Sequence, residues 1–183
     1  MIHLWSIDQD KIIHKFDKDC HTGEFFSHPS YSIGIVWQIV INKEGTTFFS
    51  CSDDQSIKVW DLKSRKLFKT HSKCHNSDIY CLSLTKEDQI LISGSADKSI
   101  KIWNIEKDNI ILLITFENAH QGILFYYISL PFLGYVWRIE PLSNQSNLFL
   151  TGDEYYNGDK SIKLWDITSQ KQIKRFTSNT GNI

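Results

Sequence analysis

No charge of one sign dominates this sequence: 183 residues carry 20 lysines and arginines against 21 aspartates and glutamates, a formal net charge of −1. That balance argues against a broadly basic nucleic-acid surface. With 41% hydrophobic and 13% aromatic residues, the chain is also not intrinsically disordered. The four cysteines, Cys20, Cys51, Cys74 and Cys81, include no Cys-x-x-Cys pair. The chain is too long for a disulfide miniprotein, so the thiols are read as free and the compartment as intracellular, cytoplasmic or nuclear. No signal peptide opens it, since Trp5 and Asp8 follow closely on Met1. The strongly apolar run from Ile123 to Trp137 is broken by Ser129 and Pro131. It falls short of the about twenty residues of a bilayer span, and no membrane span is expected. Helical signals are missing as well, because no window carries a sustained helical period with caps. At roughly 100–200 residues per domain, the length allows one domain or two small ones.

What is present is a repeat. Ser56-Ile57-Lys58-Val59-Trp60-Asp61-Leu62 returns as Ser99-Ile100-Lys101-Ile102-Trp103-Asn104-Ile105 and as Ser161-Ile162-Lys163-Leu164-Trp165-Asp166-Ile167. A truncated copy, Ile2-His3-Leu4-Trp5-Ser6-Ile7, opens the chain. Asp54, Asp97 and Asp159 each stand two residues ahead of the repeated serine. Upstream lie Phe49-Ser50-Cys51-Ser52, Ile92-Ser93-Gly94-Ser95 and Leu150-Thr151-Gly152-Asp153. Short β-branched and aromatic runs separated by clusters such as Lys43-Glu44-Gly45 read as strands and turns. The second repeat predicts strands at about 79–84, 89–94, 99–104 and 110–116, and the chain is all-β.

These residues resemble the WD-repeat β-propeller family, whose blades carry a Gly-His, a Ser-Gly-Ser and a closing Trp-Asp. The resemblance implies blades of four antiparallel strands set radially around a channel, here an arc of three blades plus an N-terminal half blade. It further implies a structural hydrogen-bond chain of His, Ser or Thr, Asp and Trp. Position by position these are His21, Ser50, Asp54 and Trp60; His75, Ser93, Asp97 and Trp103; and His120, Thr151, Asp159 and Trp165. The residue types fit that role. A buried indole N–H needs an acceptor, a hydroxyl accepts it while donating onward, and histidine passes the chain to a carboxylate. The same trio resembles a hydrolase triad, but a trio that recurs in every repeat and ends on tryptophan reads as structure.

His75 to Trp103 is a compact 28 residues, whereas His21 to Trp60 is 39 and His120 to Trp165 is 45. Glu154-Tyr155-Tyr156-Asn157 account for part of the excess in the third repeat. The rest follows the histidines, at Glu24–Gly34 in the first repeat and Ile123–Gly134 in the third. Without them the flanks become His-Thr-Gly-Ile-Val-Trp-Gln-Ile and His-Gln-Gly-Tyr-Val-Trp-Arg-Ile, which match each other and the family pattern. Both segments read either as loops, which propellers tolerate, or as unspliced introns bordered by glycine codons, since the second is too apolar for a solvated loop. Repeat boundaries fall at about 18–70, 71–116 and 117–176, after a half blade over about 1–17. Propellers close with about four to eight blades, so the chain is expected to be a fragment, an incomplete gene, or an arc completed by another chain or a missing segment.

By resemblance, the favoured contact surface is ringed by the loops before each innermost strand. The position after the first apolar residue of that strand is Trp37, Tyr80 and Trp137, with Asp53, Asp78 and Tyr135 beside it. Aromatic rings there would form a hot-spot surface for other proteins or peptides, unless they pack between blades. The two aspartates favour a basic peptide. His71, Cys74 and His75 have zinc-ligand types but lack a fourth ligand, and Asn144-Gln145-Ser146 is a glycosylation sequon without other signs of secretion. No phosphate loop or nucleophile elbow appears, so no cofactor is expected. The expected function is a non-catalytic interaction scaffold, the alternative being the regulatory or targeting propeller of a multidomain enzyme such as a kinase.

Overall fold

The computed structural model describes residues 2–16, 20–21, 34–107, 109–120, 136, 138–142, 147–152 and 161–177. Fourteen strands run through them in antiparallel meanders. The first pair is β1 (Ile2–Ser6) and β2 (Lys11–Phe16). The first four-stranded sheet comprises β3 (Val36–Ile41), β4 (Thr47–Ser52), β5 (Ile57–Asp61) and β6 (Lys66–His71). The second comprises β7 (Ile79–Leu84), β8 (Ile90–Ser95), β9 (Ile100–Glu106) and β10 (Asn109–Phe116). The third comprises β11 (Arg138–Pro141), β12 (Leu148–Gly152), β13 (Ser161–Asp166) and β14 (Lys171–Thr177). Strand order follows chain order within every sheet, so each is one blade. The second blade lies within two residues of the ranges its hydrophobic pattern predicts.

Neighbouring blades are held face to face by apolar side chains. Phe49, Cys51, Ile57 and Val59 of the first blade close on Ile79, Leu82, Leu91 and Ile110 of the second. Cys81, Ile92, Ile100 and Ile102 of the second close on Val136, Ile139, Phe149 and Trp165 of the third. The β1–β2 pair covers the first blade through Ile2 and Phe16 against Phe48 and Trp60. β3 lies beside β7, and β7 beside β11, so these first strands form the inner edge of the arc.

Close approach explains one glycine. A Cβ on Gly94 would sit 2.5 Å from Val136 Cγ1 of the next blade. Among the described residues no helix is long and apolar enough to cross a membrane. Of the segments 24–34 and 123–134, read above as loops or introns, only Gly34 is among the described residues, and the enlarged turn at 154–157 lies outside them too.

Candidate functional site

Each blade places its tryptophan on the third strand and its hydroxyl residue on the second, two positions past the tryptophan's cross-strand partner. Phe48 faces Trp60, Leu91 faces Trp103 and Phe149 faces Trp165. The hydroxyls of Ser50, Ser93 and Thr151 thereby come within reach of the indoles. Trp60 Nε1 donates to Ser50 Oγ at 2.8 Å, Trp103 Nε1 to Ser93 Oγ at 2.9 Å, and Trp165 Nε1 to Thr151 Oγ1 at 2.8 Å. The histidine Nε2 lies on the same oxygen at 2.8 Å for His21, 2.7 Å for His75 and 2.9 Å for His120. On its other side the ring reaches the carboxylate, with His21 Nδ1 at 2.9 Å from Asp54 Oδ2 and His75 Nδ1 at 3.1 Å from Asp97 Oδ2. Asp159 lies outside the described residues.

One tautomer satisfies every group. Nδ1–H donates to aspartate, Nε2 accepts from the hydroxyl, and the hydroxyl oxygen accepts the indole N–H. Burial pushes His75 below its ordinary 6.5, outweighing the pull of Asp97. For Asp97, burial opposes ionisation, but hydrogen bonds from His75, Ser99 and Asn76 outweigh it and hold the carboxyl well below the carboxylate range. Asp54 is lowered by the same balance, with bonds from His21 and Ser56 overcoming burial.

This arrangement does not provide a nucleophile. Ser50 and Ser93 are fully buried, and each hydroxyl is held by an indole N–H and a histidine ring nitrogen rather than turned toward a substrate. What it does is tie the loop before the first strand to the second and third strands, with buried polar groups satisfied.

Two further kinds of residue belong to the network and were missed from sequence, a serine in the first two blades and a lysine in all three. The serine opening the Ser-Ile-Lys run closes the carboxylate end. Ser56 Oγ lies 2.9 Å from His21 Nδ1 and donates to Asp54 Oδ1 at 2.6 Å; Ser99 Oγ lies 3.0 Å from His75 Nδ1 and donates to Asp97 at 2.7 Å. The same aspartates accept the backbone N–H of Ser56 and Ser99 at 2.9 Å. That bond steadies the turn in which Gln55 and Lys98 adopt φ of 63° and 71°. The lysine of the run is turned inward. Lys58, Lys101 and Lys163 donate through Nζ to the carbonyls of Cys20, Cys74 and Ala119, at 3.3, 2.7 and 2.5 Å. Each acceptor immediately precedes the blade's histidine. The signal was available, since a lysine recurred at one register in three copies, but a strand lysine ordinarily faces water.

The aromatic positions sit elsewhere. Pairing skips from Val36 to Gln38 on β3 and from Ile79 to Cys81 on β7, so Trp37 and Tyr80 are the extra residues of two β-bulges. Simple alternation predicted only that they point away from Val36 and Ile79. The bulge re-aims them, and their rings meet edge to face at 5.0 Å. Trp37 is 38% exposed and Tyr80 is half-buried. Beside them Asp53 Oδ1 accepts the Ile35 N–H and the Ser52 hydroxyl at 2.8 Å, while its Oδ2 is buried with no partner among the described residues. Tyr80 donates to Asp78 at 3.4 Å. Burial and then the Asp53 charge raise Asp78 above the carboxylate norm. Tyr135 and Trp137 lie outside the described residues.

The zinc-like trio is divided between these structures: His75 is inside a tetrad, and the Cys74 thiol donates to the His71 carbonyl at 3.1 Å. Burial pushes that thiol up to about 12.

Known proteins share both the motif and the shape. Residues 20–61 and 65–104 match the family described as WD domain, G-beta repeat. A stretch of 48 residues is 42% identical to nuclear distribution protein PAC1 of Candida glabrata, covering 26% of this chain and 10% of that protein. The PAC1 of Lachancea thermotolerans is 38% identical over 48 residues, with the same coverage. Among solved structures, the RRP9 WD40 repeats superpose with a TM-score of 0.63 at 17% identity, over 79% of this chain and 39% of that one. The structure of U3-55K gives 0.61 at 17% identity, over 79% and 40%. The matched stretch is therefore a tenth of the PAC1 proteins, and the described arc corresponds to about two fifths of the solved propellers.

Proposed function

We propose that this chain, whose residues 20–61 and 65–104 match the WD domain, G-beta repeat family and whose fold is that of propeller blades, works as a non-catalytic scaffold that binds a basic peptide at the Trp37–Tyr80 rim. The observation that carries the reading is the coincidence of two bulged aromatic rings in edge contact with the Asp53–Asp78 pair. Tryptophan and tyrosine dominate interface energetics when a partner excludes water from them. A cationic side chain would relieve the repulsion between the two carboxylates. All four cysteines are free thiols, which supports an intracellular setting.

The test is a peptide array that compares arginine- and lysine-rich with glutamate-rich sequences. Basic peptides should be retained, and Trp37→Ala or Tyr80→Ala in the folded protein should weaken them by about 2 kcal/mol, near thirtyfold. Equal retention of acidic peptides, or unchanged affinity in both variants, would refute the site.

A further inference from the structure

The two halves of the aromatic rim come from different blades, and hydrogen bonds fix them relative to one another. On the first blade, the Ile35 N–H donates to Asp53 Oδ1 at 2.8 Å, and the Ile35 carbonyl accepts the Asp53 N–H at 3.3 Å. On the second, the Asp78 carbonyl accepts the Ala96 N–H at 2.9 Å and the Ser95 hydroxyl at 2.8 Å. Across the junction, Gln38 Oε1 accepts the Leu82 N–H at 3.1 Å, just past Trp37 and Tyr80 in their strands. Rings and carboxylates are thus in place before a ligand arrives, which lowers the ordering cost of binding.

The two carboxylates differ in what they can still accept. Asp53 Oδ1 already takes donors from Ile35 and Ser52, and its Oδ2 is buried, so Asp53 acts through its charge. Asp78 accepts from the Tyr80 hydroxyl at a long 3.4 Å, and a carboxylate has about four acceptor sites. Burial and the Asp53 charge raise Asp78, as befits a carboxylate short of a cation. Among the described residues no ion pair reaches Asp53 or Asp78. The stretches 22–33 and 121–137, which lead into β3 and β11, contain no lysine or arginine. Charge complementarity therefore points to a cation brought by a partner.

A guanidinium suits this setting better than an ammonium. It is planar and weakly hydrated, so it can lie on an indole face while its in-plane N–H groups donate to a carboxylate. An ammonium is compact and strongly hydrated, and it loses more water-derived stabilisation at a half-buried site. Trp37, 38% exposed, supplies the indole, and Asp78 supplies the acceptor. We propose that the rim recognises an arginine side chain of the partner in preference to lysine, with the guanidinium on Trp37, donating to Asp78 and held by the charge of Asp53. This rests on the basic-peptide reading above and narrows it to one side chain.

The peptides Gly-Arg-Ser-Gly-Arg-Ser-Gly and Gly-Lys-Ser-Gly-Lys-Ser-Gly, and the same sequence with citrulline, are titrated into the full chain. The Trp37 indole N–H signal, assigned through Trp37→Phe, is followed by NMR. The first two peptides carry equal charge, so their difference isolates the guanidinium, while citrulline keeps the plane and loses the charge. The arginine peptide should bind about tenfold more tightly than the lysine peptide, and the citrulline peptide most weakly. In variants shown by circular dichroism to be folded, Trp37→Leu should bring arginine and lysine within about twofold, and Asp78→Asn should weaken both. Equal affinity of the arginine and lysine peptides overturns the inference and leaves the basic-peptide reading standing. An arginine preference that survives Trp37→Leu, or an affinity that survives Asp78→Asn, overturns it as well. If neither basic peptide moves the signal, the inference and the reading fall together.

Discussion

The second blade and the opening half blade carry nearly the same letters around their tryptophans and treat them in opposite ways. In Ile100-Lys101-Ile102-Trp103, the indole is bonded to Ser93, packed with Ile110 and Leu91, and buried. In Ile2-His3-Leu4-Trp5, the ring stands in solvent. A tryptophan at this register is thus not buried by its own strand. The strand before it and the neighbouring blade bury it, so its energetic weight belongs to the assembly of blades.

The largest break in that contrast should come from Trp103→Ala. Emptying this site should cost about 3–5 kcal/mol, read from urea unfolding with the slope unchanged. A loss below about 1 kcal/mol would mean that the blade interface does not depend on the ring.

Blade-to-blade contact is tested next by two glycines at one register. Gly94→Ala drives a methyl into Val136 and should destabilise by about 1–3 kcal/mol. Gly152→Ala, at a position with nothing within 4 Å among the described residues, should stay within about 0.5 kcal/mol. Equal effects would show that the third blade does not close on the second.

Acid should then loosen the first and second blades. Because His75 lies below 6.5 in the folded protein, the unfolded chain takes up its proton first. The stability held above that pH is lost as pH falls through it. Asp54 and Asp97 lie below 3.8 when folded, so their contribution is full above about pH 4 and disappears as pH drops toward their folded values. Unfolding midpoints measured across this range should fall in two stages, and Asp97→Asn should flatten the lower one. A pH-independent midpoint would dissolve the charge assignment. The smallest effect is expected for Trp5→Ala, within about 0.5 kcal/mol in the unliganded protein. A loss matching that of Trp103→Ala would erase the contrast between the two regions.

Much of this was legible because it repeats. Ser-Ile-Lys-x-Trp recurs in register, and the histidine, hydroxyl and aspartate stand at compact spacing in the second blade, so the strands of that blade could be placed to within two residues. Less visible were interactions whose chemistry is uncommon for their setting. Ser56 and Ser99 look like strand-opening residues, and only their distances to His21 and His75 show them closing the carboxylate end. Lys58 and Lys163 look like solvent-facing lysines, yet both are buried against carbonyls from the loop before the first strand. The bulges at Trp37 and Tyr80 carry no glycine or proline to announce them, and they replaced a simple alternation with an edge-to-face pair.

The sequence by itself determined the alternation of strands and turns and which polar residues return in each blade, because those depend on near neighbours and on a period that survives copying. Tertiary structure alone decided which of four similar tryptophans is buried and which β3 side chains lie bare. It also decided whether a strand lysine faces water or a carbonyl. Burial is a property of what lies across an interface, and that partner surface comes from another strand or another blade, tens of residues away along the chain.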